Sequence, residues 1–407
     1  LSVYMIHVAE ASRLIQSQGL FLPVAEVPLS EAMGRVLREP VYADRDFPPY
    51  NRVTMDGIAI RFETYRNGED TFRIEGAQLA GEPPQTLTNA DGCLEVMTGA
   101  ILPHRTDTVI RYEDLEIIER KGGRYARIFE APKARLQNIH QQGIDRRAQD
   151  LLIPEGILLT PAEIAVAATV GKTSLKVTGA PRVAIIATGD ELVDVHETPL
   201  PHQIRKSNSY MLQAALRGQG ILAAVFHLLD DKATLLTELK NLFGSFDVLI
   251  ASGGVSKGKA DFMPKVLQEL GVTLIFHEVA QRPGKPFWFG KHPQGPVVFA
   301  LPGNPVSTFV CYYKYVQPWL QACAGTALGW PLKAVLQTEV AFKPNLTYFL
   351  PVKILVDNDG TWKAQPVNIG GSGDFAALLA ADGFLELPPQ SNLFRPGEIF
   401  PFIGFRQ

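Results

Sequence analysis

The sequence predicts a multidomain protein of mixed class: a central, mainly parallel α/β domain, a small β-rich insert before it, and a C-terminal β domain. Three observations predict this. From Arg182 to about Ala324, apolar runs alternate with helical patterns: RVAIIATG, AAVFHLL, DVLIASGG, VTLIFHEV and GPVVFALPG read as strands, and SNSYMLQAALRG, DKATLLTELKNLFG, DFMPKVLQELG and NPVSTFVCYYKYVQPWL as helices. Apolar strands without polar alternation, joined by helical crossovers, belong to a mainly parallel sheet buried on both faces. From Met55 to about Arg135 the chain breaks into short alternating runs (TFRIEGA, CLEVMT, DTVIRYE, RYARIFE) punctuated by Gly, Pro and Asp, the pattern of short strands and tight turns. Beyond Ala324, short strands return in YFLPVKILV, FLELPP and EIFPFIGF.

The remaining elements follow from periodicity and capping chemistry. Val8 to Ser17 carries an amphipathic helical pattern, and Ser30 to Leu37 a second one. A proline-rich turn, Phe47-Pro48-Pro49-Tyr50, comes next. Thr160-Pro161-Ala162-Glu163 forms a capping box with proline at the first helical position, ahead of IAVAATV and the terminating Gly171.

Composition removes several function classes. With 46% hydrophobic and 20% charged residues over 407 positions, the chain is an ordinary globular protein of two or three domains by length. No apolar run approaches the roughly 18 residues of a membrane span. A formal charge of −3 provides no positive field to hold nucleic acid. Cys93, Cys311 and Cys323 show no CxxC spacing, and the 8 histidines show no HxH or HExxH spacing, which argues against zinc sites and a disulfide framework. The N-terminal LSVYMIHVAEASRLIQSQGL has neither a basic nor a continuous apolar secretory region, so a cytoplasmic location is expected. Glycine (35) and proline (30) together exceed the usual level of roughly 12%, and their positions matter.

They concentrate where strands are expected to end. Ser252-Gly253-Gly254-Val255-Ser256-Lys257-Gly258-Lys259-Ala260-Asp261 follows the strand DVLIA and precedes a helix, the setting in which backbone N–H groups receive an oxyanion. Gly253 to Lys259 satisfies the GxxxxGK spelling of a P-loop, but Ala260 stands where a hydroxyl should hold Mg²⁺. Asp261 reads equally as a metal-site carboxylate or as the cap of the helix FMPKVLQEL. Arg282-Pro283-Gly284-Lys285-Pro286 is a rigid basic turn suited to an anion clamp, or simply a solvated one. Leu301-Pro302-Gly303-Asn304-Pro305-Val306-Ser307 ends a strand and opens a helix, with Asn304 at the cap and Pro305 at the first position. Thr188-Gly189-Asp190-Glu191 and Asp230-Asp231 follow other strands; capping or solvation is the alternative to metal ligation for each. Ligands of open α/β sheets sit at the carboxyl ends of strands. If these loops share one rim, Glu191, Asp230 and Asp261 with Arg282 and Lys285 make a metal-and-phosphate site.

As an ordered set, PPYNRVTMDGIAI, MTGAILP, GID, IATGDEL, KSN, ASGGVSKGKAD, RPGKP, LPGNPVS and GGSGD…ADG resembles the molybdopterin molybdenumtransferases of the MoeA type, the family that includes the gephyrin E domain. The resemblance spans essentially the whole chain. It implies four domains: residues 1–45 with 141–177 (helical linker), 46–140 (β-rich insert), 178–323 (molybdopterin-binding-like α/β) and 324–407 (C-terminal β). It also implies the last step of molybdenum cofactor assembly. Adenylylated molybdopterin and molybdate bind, the phosphoanhydride is cleaved with release of AMP, and molybdenum enters the dithiolene, with Mg²⁺ as the implied cofactor. Its catalytic positions fall on Asp56, Thr98, Asp145, Glu191, Asp230 and Asp261, with Glu191, Asp230 and Asp261 as metal ligands. Its anion contacts fall on Arg282, Lys285, Ser307 and Ser372, and the strand-end loops add Ser252, Gly253, Gly254, Ser256, Pro302, Gly303 and Asn304 as expected substrate contacts. A homodimer with the site shared between subunits is implied, with the molybdopterin adenylyltransferase as a further partner. The adenylylation step itself and a non-catalytic, gephyrin-like scaffold are the competing functions. The chain departs from the family pattern in three places. Tyr50 to Gly57 replaces FDNSAMDG, gaining Arg52; His140 stands where an arginine is usual before the GID turn; and Phe349-Leu350-Pro351 lacks a customary arginine, for which Lys353 is a candidate replacement.

Overall fold

The computed structural model describes residues 5–255, 262–326 and 331–406. These pack as two compact units, one of residues 39–155 and 161–173, the other of the rest.

The first of these units is built on a mixed sheet. Besides the short pair Val41–Tyr42 and Leu151–Ile153, its strands are β1 (Arg52–Val53), β2 (Gly57–Ile60), β3 (Thr71–Gln78), β4 (Gly92–Val96), β5 (Thr108–Arg111), β6 (Leu115–Arg120), β7 (Gly123–Ile128) and β8 (Ile139–His140). The main sheet runs β5-β2-β4-β3-β7-β6, and β1 pairs with β8 beside it. Alternation sorts the side chains: Ile58, Ile60, Phe72, Cys93 and Ile110 form one core, and Val53, Ala59, Val96 and Val109 another. Gly57 is required by close packing, since a Cβ there would sit 1.8 Å from the Ile110 carbonyl oxygen. Cys93 is buried, which pushes its thiol up to about 12 and leaves it inert.

The second unit carries a six-stranded sheet of β9 (Val183–Thr188), β10 (Ala223–Leu228), β11 (Val248–Ser252), β12 (Thr273–His277), β13 (Trp288–Lys291) and β14 (Val297–Leu301), in the order β10-β9-β11-β14-β13-β12. The pairs β10–β9, β9–β11 and β11–β14 are parallel, whereas β14–β13 and β13–β12 are antiparallel, so β13 alone runs against the rest of the sheet. Strand β13 was not signalled as a strand, because its apolar stretch begins straight after the RPGKP turn. Every residue of β9, β11 and β14 is buried, and alternate positions serve opposite faces. Val183, Ile185, Val248, Ile250, Val297 and Phe299 face one core, while Ala184, Ile186, Leu249, Ala251, Val298 and Ala300 face the other. The first core is covered by α1 (Val8–Gln16), α2 (Ser207–Arg217), α5 (Pro305–Cys311) and α6 (Gln317–Ala324), the second by α3 (Lys232–Phe243) and α4 (Met263–Glu269). Asp231 caps α3 by accepting from the N–H groups of Ala233 and Thr234. A π turn, Tyr312–Val316, joins α5 to α6 and buries Tyr312 and Tyr315 in the core rather than offering them to a cofactor.

The C-terminal strands β15 (Lys333–Leu336), β16 (Thr347–Val356), β17 (Trp362–Pro366), β18 (Gly383–Leu387) and β19 (Ile399–Gly404) run β16-β17-β15-β19-β18, and pairing of β16 with β18 closes them into a barrel. Phe349 and Phe384 from its outer face join the first α/β core.

The helix expected over Ser30 to Leu37 is absent. Only Leu29–Glu31 makes a 3₁₀ turn, Gly34 adopts φ 75°, and the N–H groups of Gly34 and Leu37 bond to the carbonyls of Leu159 and Ile157. Tertiary strand-like pairing overrides the local helical period there. No helix among the described residues is long and apolar enough to cross a membrane.

Candidate active site

The loops at the carboxyl ends of β9, β10, β11 and β14 enclose a cavity of about 400 Å³. Of the sequence-predicted residues, Glu191, Asp230, Ser252, Gly253, Gly254, Pro302, Gly303 and Asn304 line it. Crossover topology explains this convergence, because parallel strands deliver their following loops to one rim. The loops are stitched together. The Asp230 N–H donates to Asp190 Oδ1 at 3.1 Å, and His227 Nε2 lies 3.1 Å from the Gly189 carbonyl oxygen.

The glycine pair after β11 answers to the end of β9. A Cβ on Gly253 would lie 2.7 Å from the Thr188 carbonyl oxygen, and one on Gly254 3.0 Å from the Thr188 hydroxyl, with φ 103° and 67° at the two positions. Only glycine lets this turn pass close enough to expose its backbone to a ligand.

Asn208, near the start of α2, ties the rim together. Its Nδ2 lies 2.9 Å from Ser252 Oγ, 2.8 Å from the Gly303 carbonyl oxygen and 3.2 Å from Thr308 Oγ1. Since the amide donates to Ser252, that hydroxyl keeps its own proton for another acceptor. Asn208 Oδ1 and Thr188 Oγ1 are buried without a protein partner among the described residues, so the wall holds unspent polar capacity. Lys206 also lines the cavity, its side chain only 13% exposed and its Nζ 2.8 Å from Asp194 Oδ2. The Lys206 contact, with the Val195 N–H and the Tyr210 hydroxyl, holds the Asp194 carboxyl far below the usual range. Thr188 and Asn208 stand within the IATGDEL and KSN segments; what sequence reasoning lacked was any sign that both face the same cavity.

Other predicted residues lie off the wall. Arg282 is exposed, in register with Tyr348 of β16, and Lys285 is exposed in the same turn, whose Pro286 does reach the cavity. Ser307 is buried within α5. Ser372 meets the start of that helix: its Oγ accepts from Asn304 Nδ2 at 3.0 Å and its carbonyl from the Val306 N–H at 3.1 Å. Asn304 occupies the cap position without a side-chain cap bond: its Nδ2 donates to Ser372, and the Val306 N–H that a cap oxygen would take is already bonded to the Ser372 carbonyl. Lys353 is exposed on β16, on the same face as Pro351 by strand period. Ser256 and Asp261 fall outside the described residues.

Asp56, Thr98 and Asp145 belong to the other unit. Asp56 Oδ1 accepts from the Thr98 N–H at 2.6 Å and the Thr98 hydroxyl at 2.8 Å, which lowers the Asp56 carboxyl below its ordinary value. Asp145 Oδ1 lies 3.0 Å from His140 Nε2.

Three family models account for nearly all of this architecture: the MoeA N-terminal region (domains I and II) over residues 6–171, a probable molybdopterin binding domain over 184–322, and the MoeA C-terminal region (domain IV) over 333–405. A molybdopterin molybdenumtransferase of a Synechocystis species is 40% identical over 98% of this chain and 100% of its own length. The chain belongs to the molybdopterin molybdenumtransferase family. A member of that family from Staphylococcus epidermidis is 30% identical over 98% of this chain and 95% of its own. Among solved structures, a molybdopterin biosynthesis MoeA protein from Pyrococcus horikoshii superposes with a TM-score of 0.82 at 30% identity, covering 99% of this chain and 100% of that one.

Proposed function

We propose that this transferase inserts molybdenum from molybdate into adenylylated molybdopterin, using the cavity at the carboxyl ends of the parallel strands. One observation carries the reading: a single cavity in a member of this family combines carboxylates (Glu191, Asp230) with anion donors (the Ser252 hydroxyl, the Gly253-Gly254 turn and Lys206). Donors of that kind hold the bridging phosphates, and the charge of Lys206 is fixed in place by Asp194 rather than left to solvent. Cleavage of the phosphoanhydride adds water across the P–O–P bridge, releasing AMP and leaving the molybdopterin phosphate.

The donor set suits Mg²⁺, a hard cation that takes carboxylate and hydroxyl oxygens together with substrate phosphates. Glu191 and Asp230 would hold it, with Asp261 as the third ligand that the resemblance assigns. When bound, the ion neutralises phosphate charge. Asp56, Thr98 and Asp145 are assigned to the same reaction, with Ser256, Arg282, Lys285, Ser307 and Ser372 as further substrate contacts. The reading also takes the chain as a homodimer of four-domain subunits, for which sedimentation equilibrium should return the mass of two chains.

The test supplies adenylylated molybdopterin, molybdate and Mg²⁺, and follows AMP release together with activation of a molybdenum-free apoenzyme. Asp230→Asn should lower both by about 10²-fold or more, the scale of losing a reacting-centre charge. Consumption of ATP with pyrophosphate release would overturn the assignment in favour of the preceding adenylylation step.

A further inference from the structure

Arg52 and His140, two residues that the proposed reaction does not use, converge on one that it does. They stand directly opposite each other where β1 pairs antiparallel with β8. Arg52 Nη2 lies 3.1 Å from His140 Nδ1, and His140 Nε2 lies 3.0 Å from Asp145 Oδ1. A guanidinium only donates and a carboxylate only accepts. The imidazole between them therefore accepts at Nδ1 and donates at Nε2, which fixes one neutral tautomer.

The backbone around Asp145 is already placed by the segment just before β1. The Asp145 N–H bonds to the Phe47 carbonyl oxygen at 3.0 Å, the Gly143 N–H to that of Pro48 at 3.0 Å, and the Gln142 N–H to Asn51 Oδ1 at 2.9 Å. What the backbone leaves free is the carboxylate's own rotation, and His140 takes that up by occupying Oδ1. The same strand holds Asp56 from its other side. Val53 exchanges hydrogen bonds with Ala100 and Gly99, anchoring the turn whose Thr98 clamps Asp56. β1 thus carries an orienting device on each edge, each ending on an acidic residue of the proposed reaction.

We propose that Arg52 and His140 are positioning residues, a guanidinium–imidazole relay that orients the Asp145 carboxylate for molybdenum insertion. The inference rests on the functional reading above. A ring held from both sides adopts one orientation, so the carboxylate it holds loses rotational freedom before substrate arrives, which is where positioning contributes to rate.

The experiment uses the full chain with selectively ¹⁵N-labelled histidine, and measures both turnover and the tautomer of His140. His140→Leu and Arg52→Met should each lower kcat by about 5–10-fold, the equivalent of one hydrogen bond. His140→Gln, which can accept at Oε1 and donate at Nε2, should restore most of that loss. In an Asp145→Asn background, His140→Leu should cost nothing further. Long-range ¹H–¹⁵N correlations should show His140 protonated at Nε2 alone in the wild type, and should lose that pattern in Arg52→Met. Full activity in His140→Leu, losses that multiply with Asp145→Asn, or a proton on Nδ1 in the neutral ring would each overturn the relay. Should the wild type itself fail to insert molybdenum, the functional reading falls, and the tautomer measurement still decides whether the relay exists.

Discussion

At the residue scale, the candidate site is a matter of which hydrogen bonds are already spent. Asp56 gives one oxygen to both the backbone and the hydroxyl of Thr98, so its carboxylate is stabilised as the anion. A group with a depressed folded pKa adds stability above its unfolded value, and that stability is lost as pH falls through the folded value. Thr98→Val keeps the backbone bond and removes the other. NMR titration should show the Asp56 carboxyl moving up toward its ordinary value, and the acid-unfolding limb should change only below about pH 4. Asn208 is the opposite case, one amide serving Ser252, Gly303 and Thr308. Asn208→Ala should cost about 1–3 kcal/mol of stability through the buried partners left behind, read from denaturant midpoints, and lower kcat/KM by about 10-fold or more. Asn208→Asp should lower kcat/KM further, because it sets a carboxylate against the Gly303 carbonyl oxygen and against the phosphates that the proposed function brings into the cavity.

At the element scale, close approach between strands dictates the turns. Gly57 begins β2, and the Ile110 carbonyl oxygen occupies the space of its missing side chain. Gly57→Ala should force β2 from β5 and destabilise the β-rich unit by roughly 1–3 kcal/mol, with loss of amide protection concentrated in residues 57–60 and 108–111. A wild-type protection pattern there would show that the pair relaxes without separating. The same scale shows what was legible in the sequence. Strands β9, β11 and β14 declared themselves because burial on both faces demands an unbroken apolar run, and the crossover rule then placed their loops on one rim. Ser30 to Leu37 misled because its helical period is real but its N–H groups bond to residues 157 and 159, far along the chain. Strand β13 was hidden because it follows the RPGKP turn rather than a helical crossover, and pairs antiparallel with β14. Within the site, Glu191, Asp230 and the SGG turn were legible from strand-end position. The roles of Asn208 and Thr188 were not, since a small polar residue at a strand end or in a helix's first turn carries no local sign of what it faces.

At the scale of the whole molecule, the number of domains read from sequence motifs need not equal the number of cooperative units. The α/β sheet and the C-terminal barrel are separate in sequence and in hydrogen-bonded topology. Their cores are not separate. Phe349 and Phe384 from the barrel lie in one buried cluster with Phe299, Tyr315 and Trp319, and Phe309 stacks edge-on to Phe384 at 6.1 Å. Lys314, from the π turn, reaches Glu386 of the barrel at 2.6 Å. Removing the barrel would open that aromatic face to water at about 25 cal/mol per Å² of apolar surface, a loss that a marginally stable domain does not survive. Residues 178–323 and 333–405 should therefore exchange amide hydrogens as one unit near the global unfolding limit, whereas the cores of the 39–155 unit open with a protection of their own. Hydrogen exchange followed by mass spectrometry across a denaturant series checks this. A barrel that loses protection at lower denaturant than β9 and β11 would mean that the shared aromatic cluster does not couple the two folds.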